Sequence, residues 1–167
     1  MKGFVFLIKL TLVILMLAFI WGQSLMPGDM SSMESEWVLT LVRPVVELLQ
    51  RGLSALGYDF ELSYLVRKLA HFSEYAVLGV LMFLLFVKPD GRSRYILPAG
   101  LCLASACVDE GIQIFAVERG PALRDVILDF AGSCAGILAA GFVMMVLYTL
   151  SYNRRRRRAA RRKRRYS

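Results

Sequence analysis

Apolar residues fall in long runs separated by short polar stretches, and each run predicts an element. The first covers residues 4–21, is interrupted only by Lys9, and is long enough to span a bilayer core. Lys9 splits the run and Ile20-Trp21-Gly22 is a poor cleavage site, so it reads as a retained helix rather than a signal peptide, with Lys9 snorkelling toward the side of Lys2. Residues 23–36 read as a loop turning at Pro27-Gly28-Asp29. Over 37–56 apolar residues such as Val38, Leu41, Val42, Val45, Leu49 and Leu53 alternate with Arg43, Glu47, Gln50 and Arg51. That pattern predicts an amphipathic helix in the membrane interface, with Pro44 as a kink or a late start. Further spans are predicted over about 62–87, 95–115 and 122–152, joined by a basic turn at 88–94 and a tight connection at 116–121. Pro98 is tolerable near the beginning of the third. The predicted fold is all-α: a polytopic membrane protein with four transmembrane helices, one interfacial helix and a polybasic tail over 153–167.

Composition agrees. Of the 167 residues 57% are hydrophobic, and a mean hydropathy of +0.53 excludes an ordinary soluble domain. The net charge of +8 misleads, because ten of the 21 Lys and Arg lie between Arg154 and Arg165, leaving the rest of the chain at −2. Lys2, Lys9, Lys88, Arg92, Arg94 and the tail share one side of a four-span topology, which predicts both termini in the cytoplasm. The tail suits anionic lipid headgroups. It has no interleaved aromatics or folded module, so no nucleic-acid partner is expected. Cys102, Cys107 and Cys134 lie in apolar segments, and their spacing suits neither a zinc site nor a disulfide framework.

Ionisable residues inside the predicted spans are the candidate chemistry, because charge in lipid is kept mainly where it faces a protein interior or a wet cavity. In 67–78, Lys68, His71, Tyr75 and Leu78 fall on one helical stripe, with Glu74 beside them; His71 is the single histidine of the chain. Glu74 lies roughly 20 Å and Asp109 roughly 21 Å from the inner boundary, at 1.5 Å per residue. Two helices of opposite direction thus bring carboxylates to one level in the outer half of the bilayer. Gln113 shares a face with Asp109, Glu110 lies beside it, Asp125 and Asp129 are placed somewhat higher, and Arg119 and Arg124 are placed as an outer cap. Gly132-x-x-x-Gly136 permits close helix approach and turns both aspartates inward. Three chemistries fit: a buried ion-pair network, a pocket whose arginines grip phosphate or carboxylate while its carboxylates accept sugar or amine donors, or acid–base catalysis by His71 with Glu74 and Asp109. No nucleophile motif accompanies the third, for which Ser24 and Ser73 are the weakest of candidates. One histidine with carboxylates can bind zinc or manganese, but no ligand-spacing motif is present, and neither metal nor cofactor is expected.

Two blocks also carry a resemblance. Arg67 to Gly79, RKLAHFSEYAVLG, resembles the signature of VanZ-like membrane proteins: a lysine, then His-Phe, then Glu-Tyr, entering a transmembrane helix. Asp109-Glu110-x-x-Gln113-x-Phe115, Arg119, Arg124-Asp125, Asp129 and Gly132 resemble a second family block, and the Pro-Gly and serines of 24–35 a weaker third. The likeness covers roughly residues 20 to 140 and omits the basic tail. It implies a multi-pass protein of the bacterial cytoplasmic membrane. VanZ-like proteins are associated with reduced susceptibility to teicoplanin, a glycopeptide carrying a lipid chain. The implied partners are therefore the bilayer and a lipid-linked cell-wall precursor or lipoglycopeptide at the outer leaflet. A membrane enzyme acting on a lipid-linked substrate is the alternative. A proton-coupled transporter is disfavoured by the small size and the lack of internal repeats.

Overall fold

Backbone inside lipid has no water to bond, so a spanning segment must satisfy itself as a helix or a closed barrel. The computed structural model describes residues 2–25, 44, 47–48, 50–52, 54–55, 62–87, 95–115 and 122–163. Every regular element among them is helical, with no strand. Four helices carry the fold: α1 (Lys2–Ser24), α2 (Leu62–Phe86), α3 (Ile96–Gln113) and α4 (Leu123–Lys163). The described positions between 44 and 55 are also helical; the remainder of the interfacial helix expected over 37–56 lies outside the described residues.

Local chemistry explains the ends. Pro98 sits in the first turn of α3, where a missing N–H costs no intrahelical bond. At the other end of α2, the Val87 amide closes on the Phe83 carbonyl, and Lys9 Nζ donates to the Leu84 carbonyl oxygen at 2.7 Å. A cation thus meets a carbonyl of the last helical turn, at the negative end of the helix dipole. Lys9 does more than snorkel: it ties α1 to the end of α2.

Packing sets the directions. Lys9 against Leu84 makes α1 and α2 antiparallel. The Phe83 and Tyr95 rings lie 5.5 Å apart while His71 neighbours Asp109, so α3 is antiparallel to α2. Lys68 pairs with Asp125, Phe72 meets Gly132 and Ala76 meets Gly136, so α4 runs with α2. The beginning of α1 and the basic end of α4 therefore share one end of the bundle.

One stripe of α1, at Val13, Met16, Leu17, Ile20, Trp21 and Ser24, faces inward with the spacing of a helix face. Phe4, Phe6, Leu7, Leu15 and Phe19 face outward, as do Leu138, Phe142, Val143 and Leu147 of α4. So much exposed apolar surface is what lipid contact requires and soluble proteins avoid. Val13, Ile20, Tyr75, Leu78, Met82, Cys102 and Ala106 form the core. Among the described residues three helices are long and apolar enough to cross a membrane: Gly3–Ser24, Leu65–Phe86 and Leu123–Arg156. The third helix of the four expected spans is not one of them. Its 18 residues reach about 27 Å against a core of about 30 Å. Ser105, Asp109, Glu110 and Gln113 also make its later turns polar, and all four are buried against the other helices.

Candidate functional site

The approach of α2 to α4 builds the site. A Cβ on Gly79, Gly132 or Gly136 would overlap the backbone carbonyl of Ser133, Phe72 or Ala76 respectively, so these positions admit hydrogen alone. The close seam brings the first turns of α4 against the polar turns of α2, and α3 closes the third side. One ligand-capable atom from each of His71, Asp109 and Asp129 lies within 4.8 Å of the other two. Both aspartates are buried and His71 is half-buried.

Around this centre the helices add partners. Gln113 Nε2 donates to Asp109 Oδ2 at 3.3 Å, one helical turn away. Lys68 Nζ bridges to Asp125 Oδ2, the side chains 20% and 19% exposed, so this pair is neither free in solvent nor sealed. Glu110 Oε2 accepts the Ala122 amide at 2.8 Å, so a carboxylate of α3 caps the N-terminus of α4. Glu74 lies within electrostatic reach of Asp109, and Tyr75 within reach of Asp109 and Asp129. Several buried atoms have no hydrogen-bond partner among the described residues: Glu74 Oε2, Glu110 Oε1, Ser24 Oγ and Trp21 Nε1. An interior normally pairs such groups, and the exceptions concentrate where a ligand or water belongs.

The residues expected from sequence thus divide. Lys68, His71, Glu74, Tyr75, Asp109, Glu110, Gln113, Asp125 and Asp129 gather at the end of the bundle away from the termini. Asp129, expected somewhat higher than Asp109, brings a carboxylate oxygen within 4.8 Å of one from Asp109; Asp125 one turn away meets Lys68. Helix tilt and the glycine seam set this register, which a per-residue rise does not contain. Arg124 is exposed on the first turn of α4, and Arg119 lies outside the described residues.

Sequence reasoning missed Ser105, Ser133 and Trp21. A signal existed for two of them: Ser105, Asp109 and Gln113, and likewise Asp125, Asp129 and Ser133, recur every four residues on otherwise apolar helices. Ser133 Oγ donates to the Asp129 carbonyl at 3.1 Å and is satisfied within its own helix. Trp21 gives no such signal, because an indole in a spanning helix is ordinary. The absence of a metal-ligand motif is explained too: the histidine and two aspartates come from three helices, so no short spacing connects them.

A family model described as VanZ/LLP1 matches residues 6–158, nearly the whole chain. No curated protein and no solved structure matches it.

Proposed function

The chain belongs to the VanZ/LLP1 family, and from that premise we propose a protein of the bacterial cytoplasmic membrane whose polar half binds the headgroup of a lipid-linked cell-envelope molecule. In this reading α3 completes a set of four spans, and both termini are cytoplasmic. The basic residues of the α1 and α4 ends support that side as the inner one, by the excess of Lys and Arg that cytoplasmic segments carry. The polar half then opens toward the outer leaflet, where a cell-wall precursor or a lipoglycopeptide would lie.

The observation that carries the reading is the convergence of buried polar groups: a histidine and carboxylates from three helices, with Glu74 Oε2 and Glu110 Oε1 unsatisfied among the described residues. Glu74, Asp109 and Asp129 suit sugar hydroxyls or amines, and Lys68 and the outer arginines suit phosphate or carboxylate. The family resemblance implies that occupancy alters teicoplanin susceptibility. Glu74→Gln and Asp109→Asn keep shape and most hydrogen bonding, so both variants are expected to accumulate and melt normally in detergent while losing the susceptibility phenotype. Variants that unfold in step with their loss of activity would make the cluster a structural ion-pair network instead.

The proximity of His71 to two carboxylates favours one second reading, acid–base chemistry on the same lipid-linked substrate. It predicts that His71→Ala abolishes turnover and leaves ligand binding intact, whereas a binding protein loses binding itself.

A further inference from the structure

Buried charge needs compensation, and four carboxylates from three helices converge at this cluster. Asp109, Glu110 and Asp129 are buried and Glu74 is half-buried, and Lys68 bridges Asp125 beside them. We propose that His71, Asp109 and Asp129 together bind a divalent first-row transition-metal ion, of the zinc or manganese type, between α2, α3 and α4. The inference rests on this cluster being a site rather than scaffold, and it names what the site holds.

The donor set selects the ion. One imidazole nitrogen and two carboxylate oxygens suit zinc and manganese; the nitrogen disfavours magnesium and calcium, and the lack of thiolate disfavours soft ions. A neutral imidazole and two carboxylates also make the centre electrically neutral around a divalent ion, which an apolar surround favours. Ligand atoms bound at about 2.0–2.2 Å from one tetrahedral zinc lie about 3.3–3.6 Å apart, so the three atoms, within 4.8 Å of one another, draw in by up to about 1.5 Å through side-chain rotation when the ion binds.

The surroundings fit as well. Metal-bound carboxylates are oriented by outer partners, and Gln113 donates to Asp109 in that manner. Three protein ligands leave a position for water or substrate. Tyr75 is fully buried beside Ser105, and it lies within electrostatic reach of both aspartates. A water or anionic oxygen on the metal would offer that hydroxyl a further acceptor. The open position would take a phosphate or carboxylate oxygen of the lipid-linked molecule.

The test uses the full chain purified in detergent, stripped with chelator and titrated with Zn2+, with bound metal counted by elemental mass spectrometry. Wild type is expected to hold one zinc per chain and to melt at a higher temperature when loaded. Co2+ should give visible d–d bands without the near-ultraviolet absorption of thiolate ligation. Asp129→Asn and His71→Asn should each weaken Zn2+ binding by more than the roughly 10–100-fold of losing an outer partner, and Gln113→Ala by roughly that amount. Replacing the three cysteines by serine should change nothing. Wild type that binds no more Zn2+ than His71→Asn, or binding that disappears with the cysteines, would overturn the proposal. Because Glu74 is not among the three ligands, Glu74→Gln separates the two readings. No metal in wild type, with the phenotype still lost in a folded Glu74→Gln, removes the ion and keeps the headgroup site. Metal bound in wild type, with the phenotype intact in Glu74→Gln, keeps the ion and removes the headgroup.

Discussion

Lys68 and Asp125 show how much a single charge pair contributes here. Exposed pairs stabilise by about 0.2–1 kcal/mol, and removing one partner of a buried pair costs about 3–5 kcal/mol. At 20% and 19% side-chain exposure this pair lies between those limits. Lys68→Met should therefore cost on the order of 1–3 kcal/mol, since a charged hydrogen bond is lost and Asp125 is left half-solvated. A double-mutant cycle with Asp125→Asn, followed by denaturation in detergent, measures the coupling; a value near zero would make the contact incidental. Glu110 is a different case, because its acceptor oxygen replaces a missing helical partner at the start of α4. Glu110→Gln retains an acceptor and should be mild, whereas Glu110→Ala should cost about 0.5–2 kcal/mol, as lost caps do. Of these contacts, the Gln113–Asp109 pair was readable beforehand from its four-residue spacing on one helix. The Glu110–Ala122 bond was not, because nothing in a sequence says which carboxylate will reach the next helix's first amide.

The helices themselves were legible to the extent that periodicity and glycine spacing encode them. Gly132 and Gly136 announce a close-packing face, and both are buried against α2. Gly79 completes the seam from the other side, yet a lone glycine in an apolar helix carries no spacing signal. The bounds of α3 were legible from its apolar run, whereas the burial of its later polar turns against the other helices comes from packing. The seam makes a sharp comparison possible. Gly136→Ala must push apart two backbones and should destabilise by about 1–3 kcal/mol, the usual cost of overpacking. Gly100, in α3, has nothing within 4 Å of an added Cβ, so Gly100→Ala should instead gain about 0.5–1 kcal/mol of helix stability. Melting temperatures of the two variants in the same detergent should move in opposite directions; equal losses would show that the approach of α2 to α4 does not limit stability.

Alternating helix directions divide the bundle along its axis. Leu78, Met82, Phe83 and Cys102 fill the half near the termini with apolar packing, and His71, Asp109 and Asp129 fill the other half. Tyr75 stands at the junction, its ring in the apolar core and its hydroxyl within reach of the aspartates. Depth arithmetic on single helices could anticipate this division because rise per residue is fixed, whereas tilt and stagger, which decide the neighbours of each group, come from packing. The same axis places the basic segment at the far end from the site, and α4 continues as helix into it as far as Lys163. Truncation after Asn153 should accordingly lower expression or correct insertion but leave any phenotype per inserted molecule unchanged, as measured by surface labelling against susceptibility. Orientation itself has the most direct test. Cysteines introduced within 23–36 and near Gly120, in a background lacking Cys102, Cys107 and Cys134, are expected to react with an impermeant thiol reagent applied to intact cells. Cysteines at Gly91 and beyond Asn153 should react only after the cells are opened. Labelling at Gly91 from outside would invert the bundle, placing the His71–Asp109–Asp129 cluster in the inner leaflet; its ligand would then be sought among cytoplasmic headgroups, out of reach of a glycopeptide.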